Sequence, residues 1–177
     1  MSSAPATVDS RARLLELLVR GGAQYRLLSH APQGRTDLAS ALRGHRLEQA
    51  AKSLVIRVAL SGKRRRYVIA VVPGDRRVDL AALNALYAGK EASFAARGVA
   101  EQLTGCVSGS IMPLSFDPEL EVITDPALFE HEEIFFNTGR LDESVALRTE
   151  CYRALVAPRV TPIATPRTDV PPGATVQ

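Results

Sequence analysis

Two runs of β-branched and apolar residues, Ser53 to Leu60 and Tyr67 to Val72, flank the stretch Ser61-Gly62-Lys63-Arg64-Arg65-Arg66. Such runs suit a pleated, buried surface. A short connection holding a glycine joins two strands by a turn and leaves no room for a crossover helix. The segment therefore predicts an antiparallel hairpin with a basic tip. Every other element must be arranged around it, so the hairpin constrains the fold more than any other feature does.

The flanking segments read as short, irregularly alternating elements. Asp9 or Ser10 caps a helix to Arg20, stopped by Gly21 and Gly22. Tyr25 to Ser29 reads as a strand. Thr36 or Asp37 opens a second helix with Leu38, Ala41 and Leu42 inward, interrupted at Gly44, and Arg46 to Ala51 is a short helix. After the hairpin, Pro73-Gly74-Asp75 turns the chain. Asp79 caps a helix through Tyr87, Glu91 to Phe94 is a strand, and Gly98 to Thr104 is a helix. Gly105 to Pro113 is a loop of small residues. Leu120 to Ile123 and Glu133 to Phe136 are strands, with a turn at Asp125-Pro126 between them. A last helix starts at Asp142 or Ser144 and reaches Leu155. The pattern favours a mixed sheet with helices around it over a doubly wound parallel sheet.

At 177 residues, 46% hydrophobic and 23% charged, the chain suits a single domain with a core of ordinary size. The organisation expected is a flexible leader over 1–8, one domain over 9–157 and a disordered Pro-rich tail over 158–177. The net charge of +3 and pI near 9.1 permit contact with a polyanion without requiring it. Cys106 and Cys151 make no disulfide framework. No apolar leader or run long enough for a membrane is present, which points to a cytoplasmic protein with no membrane partner.

Several chemistries are excluded by what is missing. There is no G-x-G-x-x-G, no Walker loop, no H-E-x-x-H and no Cys/His cluster at zinc spacing, so neither a cofactor nor a metal is expected. His30, His45 and His131 are scattered. Lys52, at the mouth of the first long strand, suits a point contact to a phosphate or carbonyl oxygen, or is simply solvated. In "GCVSGSIMP", Gly105 and Gly109 allow a close backbone approach to a ligand, with Ser108 and Ser110 adding hydroxyls; an ordinary surface loop reads the same way. Cys106 in that loop leaves a reactive thiol open. Lys63, Arg64, Arg65 and Arg66, with Arg76 and Arg77, are candidate phosphate contacts or solvated charge.

Four segments in order, "AAKSLVIRV" from Ala50, "YVIAVVPGDRRVDLAAL" from Tyr67, "LTGCVSGSIMPLSF" from Leu103 and "FFNTGR" from Phe135, make the chain resemble the YbaK/ProX family of aminoacyl-tRNA editing domains. The resemblance spans Tyr25 to Leu155. It implies an α+β fold with a mixed, partly barrel-like sheet surrounded by helices. It also implies a hydrolase that deacylates mischarged aminoacyl-tRNA, with a small amino acid on the proline tRNA as the expected substrate. By the same resemblance Lys52 is the active-site lysine, and Gly105 and Gly109 position the ester carbonyl. Asn137 and Gly139 close the pocket, and a ribose hydroxyl helps the attacking water. Ser108, Ser110, Met112, Pro113 and His131 are assigned to substrate binding, and the basic tip with Arg76 and Arg77 to the acceptor stem. The implied partners are the acceptor end of aminoacyl-tRNA and prolyl-tRNA synthetase. The chain departs from the family at Val107 and Ser108, and at Asn137, where a serine-containing pattern is usual. Two other readings stay open: a binding module of this fold without catalysis, and an ester or thioester hydrolase using Cys106 or Lys52.

Overall fold

The computed structural model describes residues 9–167. Helix α1 (Ser10–Arg20) begins where the Asp9 carboxylate accepts the N–H groups of Arg11 and Ala12, and it buries Leu14 and Leu18. Strand β1 (Tyr25–Ser29) follows, then α2 (Thr36–Arg43), which ends on left-handed Gly44, and a 3-10 turn (Leu47–Gln49). The expected hairpin is present as β2 (Ala51–Ala59) and β3 (Arg65–Pro73), in unbroken antiparallel register from Ala51 opposite Pro73 to Ala59 opposite Arg65. Next come β4 (Arg76–Val78), α3 (Leu80–Leu86) capped by Asp79, β5 (Glu91–Phe94) and α4 (Arg97–Thr104). Strand β6 (Glu121–Thr124), a 3-10 turn (Pro126–Glu130), β7 (Glu133–Asn137), β8 (Glu143–Arg148) and α5 (Thr149–Val156) lead to β9 (Arg159–Val160) and β10 (Ala164–Pro166).

The hairpin is the centre of a five-stranded sheet ordered β5-β2-β3-β6-β9, mixed because β6 runs parallel to β3 and β9 parallel to β6. A three-stranded antiparallel sheet β1-β8-β7 and a two-stranded pair β10-β4 complete it. The architecture is the mixed α+β fold expected, and its sheets do not close into a barrel. Alternate residues of the hairpin enter two cores. Ala51, Val55, Ile69 and Val71 pack with Leu14, Leu18, Leu128 and Tyr152 on one face; Ile56, Val58, Val68 and Ala70 pack with Leu83 and Ile163 on the other. Burial on both faces explains why these strands read as nearly continuous apolar runs.

Three expectations are corrected. Helix α2 turns Ala39 and Ser40 inward and leaves Leu38 and Leu42 exposed at 42% and 51%, because Ser40 can bond back to the Thr36 carbonyl and a small face is what the neighbouring cavity admits. The final helix starts at Thr149; the residues before it form β8, in which Ser144 to Leu147 are all buried between β1 and β7. Ala, Leu and Glu there carry helix propensity, and pairing on both edges overrides it. The expected tail is structured over residues 158–167. Ile163 is 1% exposed, its carbonyl accepts the Asp79 N–H at 2.7 Å and its own N–H donates to the Asp125 carboxylate at 2.8 Å. One apolar side chain with two backbone bonds anchors a segment whose prolines suggested otherwise. The leader over 1–8 and residues 168–177 lie outside the described residues. Among those described, no helix is long and apolar enough to cross a membrane.

The Ile163 anchor is measurable. Ile163→Ala should lower unfolding free energy by roughly 2–5 kcal/mol, the usual range for emptying a buried isoleucine site. An unchanged urea midpoint and slope would contradict the burial described.

Candidate active site

Strand β2 is fully paired along one edge and half paired along the other. β5 covers it only from Ile56 to Ala59, and the last bond on that edge runs from the Ala95 N–H to the Val55 carbonyl at 2.9 Å. The chain then turns away into α4. Bonding on this edge belongs to Val55 and Ala59, so Ser53, two residues before Val55, turns its own N–H and C=O toward the uncovered stretch. A cavity of about 270 Å³ sits on that stretch. Its walls are unusually small: Ala39, Ala50, Ala51, Ala95, Ala100 and Gly109. Phe94, Phe135, Phe136 and Ile111 add apolar surface, Arg35 and Arg97 stand at α2 and α4, and the remaining polar side chains are Thr36, Arg43, Lys52, Ser53, Ser108 and Asn137. Among the described residues, no His, Asp, Glu or Cys lines it.

The two loops that bound the cavity meet backbone to backbone. Gly109 has φ +88, and a Cβ there would lie 2.8 Å from the Gly34 Cα and 3.0 Å from its carbonyl oxygen. No side chain fits without moving one loop. The glycine predicted from the sequence is thus required, and what approaches it closely is Gly34. Gly74 is constrained in the same way on the opposite wall, where a Cβ would lie 2.6 Å from the Leu47 carbonyl.

Arg43 is a largely buried cation in the cavity wall. Its Nε donates to the Ala39 carbonyl at 3.1 Å, and Nη1 reaches Ser144 Oγ at 3.3 Å and Asn137 Oδ1 at 3.5 Å. Those partners are neutral. Burial pulls its pKa down to about 10, which leaves it charged at neutral pH. Asn137 is held by donation to the carbonyls of Arg140 at 3.0 Å and Gln33 at 3.4 Å, and it accepts from Ser144 at 3.2 Å. Lys52 belongs to the opposite face of β2 from Ser53. Its ammonium donates to the Arg76 carbonyl in the turn after β3. Burial lowers its pKa, helped by repulsion from Arg167 and Arg77 and opposed by Asp75. Ser53 shares the face of Ala51 and Val55; its Oγ is buried and has no hydrogen-bond partner among the described residues.

The structure therefore brings Lys52, Ser108, Gly109 and Asn137 to one cavity and places the other predicted residues elsewhere. Gly105, at φ +67, is the left-handed cap of α4 and accepts a bond from Ser10. Ser110 closes a turn on the Val107 carbonyl. Met112 is 2% exposed in the main core, and Gly139 packs near Cys106, Ser10 and Met112. The Pro113 carbonyl accepts from the fully buried Tyr152 at 2.8 Å. These five residues shape and anchor the loop. His131 lines a separate depression with Phe129, Arg148 and Arg153. The basic tip lies at the far end of the hairpin: Ser61 is eight residues beyond Ser53, about 26 Å at the usual strand rise. Arg66 there pairs with Glu121 at 3.2 Å, whereas Arg76 is beside Lys52. The thiol reading of Cys106 is overturned, because the residue is 3% exposed and burial raises its pKa, leaving it a protonated core side chain. Sequence reasoning missed Arg43 and Ser53. Arg43 looks like a basic residue completing a helix, and its only signal is the i, i+4 spacing from the inward-facing Ala39.

Two predictions follow from this geometry. Gly109→Ala should destabilise the fold by more than Gly62→Ala, by about 1 kcal/mol or above, since both positions have positive φ but Gly62 has open space around it; equal melting temperatures would contradict the tight loop contact. His45 stacks on Phe135, with ring centroids 3.8 Å apart, and burial holds its pKa down to about 4. The unfolded imidazole titrates near 6.5. Between those values the unfolded chain binds a proton that the folded chain refuses, so stability is complete above 6.5 and falls as pH drops toward 4. His45→Gln should flatten that limb of the stability–pH curve, and an unaltered slope would refute the assignment.

The profile of a family described as aminoacyl-tRNA editing domain matches residues 30–155. A relative from Escherichia coli, the multifunctional Ser/Thr-tRNA deacylase ProXp-y, is 40% identical over 149 residues, covering 84% of this chain and 89% of the relative. Among solved structures, a hypothetical protein superposes with a TM-score of 0.76 at 19% identity, covering 86% of this chain and 99% of its own. A candidate trans-editing enzyme for prolyl-tRNA synthetase superposes with a TM-score of 0.73 at 22% identity, covering 93% and 99%. At those identities the superpositions establish the fold.

Proposed function

We propose, on the premise that this chain belongs to the aminoacyl-tRNA editing domain family, that the cavity on the uncovered edge of β2 takes the aminoacylated 3′ end of a tRNA and that serine and threonine are among the amino acids released there. The chain is an aminoacyl-tRNA deacylase, an enzyme of translation fidelity whose substrate is aminoacyl-tRNA. The described activity of the Escherichia coli relative supports serine and threonine as the small amino acids in question, and the Ala- and Gly-rich walls suit that size. The proline tRNA and a contact with prolyl-tRNA synthetase remain part of the reading through the family resemblance alone.

The observation that carries the mechanism is the makeup of the cavity: buried cations and an outward-facing strand amide, with no carboxylate, imidazole or thiol among its lining residues. Aminoacyl esters are already reactive. A site that positions the ester and stabilises negative charge on its carbonyl oxygen supplies most of what hydrolysis needs. Water adds to the carbonyl carbon, and the resulting oxyanion is stabilised by the Ser53 N–H and the positive charge of Arg43. The tetrahedral adduct then collapses with the ribose oxygen leaving and taking up a proton, giving free amino acid and tRNA. A neighbouring ribose hydroxyl orients the water, which fits a wall that offers no side-chain base. Lys52 sits at the mouth, exchanges the Arg76 carbonyl for the terminal nucleotide, and holds it as a point charge.

Deacylation of a panel of tRNA bodies, each charged with alanine, serine, threonine or its cognate amino acid, tests this reading. The wild type should release serine and threonine rapidly and identify the tRNA bodies accepted. Lys52→Ala should lose about tenfold or more in kcat/KM, the fold-change that corresponds to losing one charged hydrogen bond of about 1.5–3 kcal/mol to the bound nucleotide. Binding without release from any charged tRNA by folded protein would instead establish the binding-module reading.

A further inference from the structure

Ser53 is the cavity's one anomaly in hydrogen bonding. A buried hydroxyl without a partner is unfavourable by the desolvation of the group, so native proteins rarely keep one without a use. Three other polar side chains of the cavity spend their bonds inside the protein: Lys52 on the Arg76 carbonyl, Arg43 on Ala39 and Ser144, and Asn137 on Arg140 and Gln33. Among these four, only Ser53 has a buried side-chain polar atom with no partner among the described residues, and Ser53 lines the cavity together with Ala51 and Val55 of the same face of β2.

We infer that Ser53 is a specificity-determining residue: its hydroxyl hydrogen-bonds the side-chain hydroxyl of the bound aminoacyl group and selects serine and threonine over alanine and valine. The inference rests on the function proposed above and adds the group that reads the substrate. A hydroxyl suits this task because it donates and accepts, as the substrate hydroxyl does. The surrounding Ala39, Ala51 and Ala100 leave space for the threonine methyl but offer nothing polar that could replace Ser53. Discrimination against alanine then follows because a hydroxyl-bearing side chain gives Ser53 a partner and alanine does not. Rejection of valine follows from the same cause, because valine matches threonine in shape and lacks only the hydroxyl.

The test uses one tRNA body charged in turn with serine, alanine, threonine and valine, and compares kcat/KM for wild type and Ser53→Ala. The readout is the ratio between paired substrates within each protein, so a change in overall rate shared by all four substrates does not enter it. The wild type should favour serine over alanine, and threonine over valine, by about tenfold or more. Ser53→Ala should bring both ratios to within about threefold of one, because serine and threonine are slowed more than alanine and valine. Equal loss on all four substrates would overturn the inference, since Ser53 would then serve the shared ester end or the fold. Unchanged ratios would overturn it too, by showing the hydroxyl is read elsewhere. Failure of wild type to release any of the four would instead refute the function on which it rests, and melting temperatures of both proteins separate misfolding from either result.

Discussion

The whole arrangement depends on how β2 is hydrogen-bonded. One edge is paired with β3 from Ala51 to Ala59; the other is paired with β5 only from Ile56 to Ala59. The full pairing makes the strand rigid and buries its side chains on both faces. The half pairing leaves Ser53 with outward backbone groups that no strand satisfies. An uncovered sheet edge is ordinarily a liability, and proteins cover it or use it. Here α2, α4 and the loop at Gly109 surround the open stretch, β7 meets the chain only at its start through a single bridge from Phe135 to Ala50, and the space they leave is the cavity. Site and fold thus share one cause, the early departure of the chain into α4 after Phe94.

The chemistry of that space differs from that of a hydrolase built on a nucleophile and base. Its polar groups are fixed by the scaffold: Arg43 by its own helix and by Ser144, Asn137 by two backbone carbonyls, and Gly109 by contact with Gly34. Groups held this way need little reorganisation when charge develops, which is what makes electrostatic stabilisation effective. A buried arginine with only neutral partners is unfavourable in the free protein and becomes favourable when an anionic oxygen arrives. The small walls serve the same end, admitting a short side chain next to the ester while excluding a bulky one.

Much of this was legible in the sequence, and what was not has physical reasons. The hairpin, the Asp9 and Asp79 caps and the Gly105–Pro113 loop all depend on local chemistry, and the structure holds them as read. Strand β8 reads as helix in the sequence because Ala146 and Leu147 favour helix and the one β-branched residue beside them, Val145, does not reveal pairing partners distant in sequence. The Ile163 anchor was hidden among prolines, since only the tertiary position of Asp79 and Asp125 makes that isoleucine a core residue. In the site, Lys52 and Gly109 could be found because their spacing is local and matches a known family. Arg43 and Ser53 could not, since burial decides their meaning: an exposed arginine ending a helix and a serine beginning a strand are spelled identically. The loop residues Ser110, Met112 and Pro113 were placed in the pocket by proximity in sequence, whereas the loop turns them into the core.

The central claim, that the open edge at Ser53 receives the aminoacylated end, is tested most directly by backbone amide shifts. A seryl-adenosine analogue with an amide in place of the ester cannot be hydrolysed, and it can be titrated into labelled protein. The account predicts saturable shifts at Ser53, Ala95 and Gly109, with the hairpin tip at Gly62 to Arg64 and the depression at His131 unmoved. Shifts confined to the tip or to the His131 depression, with Ser53 silent, would contradict it.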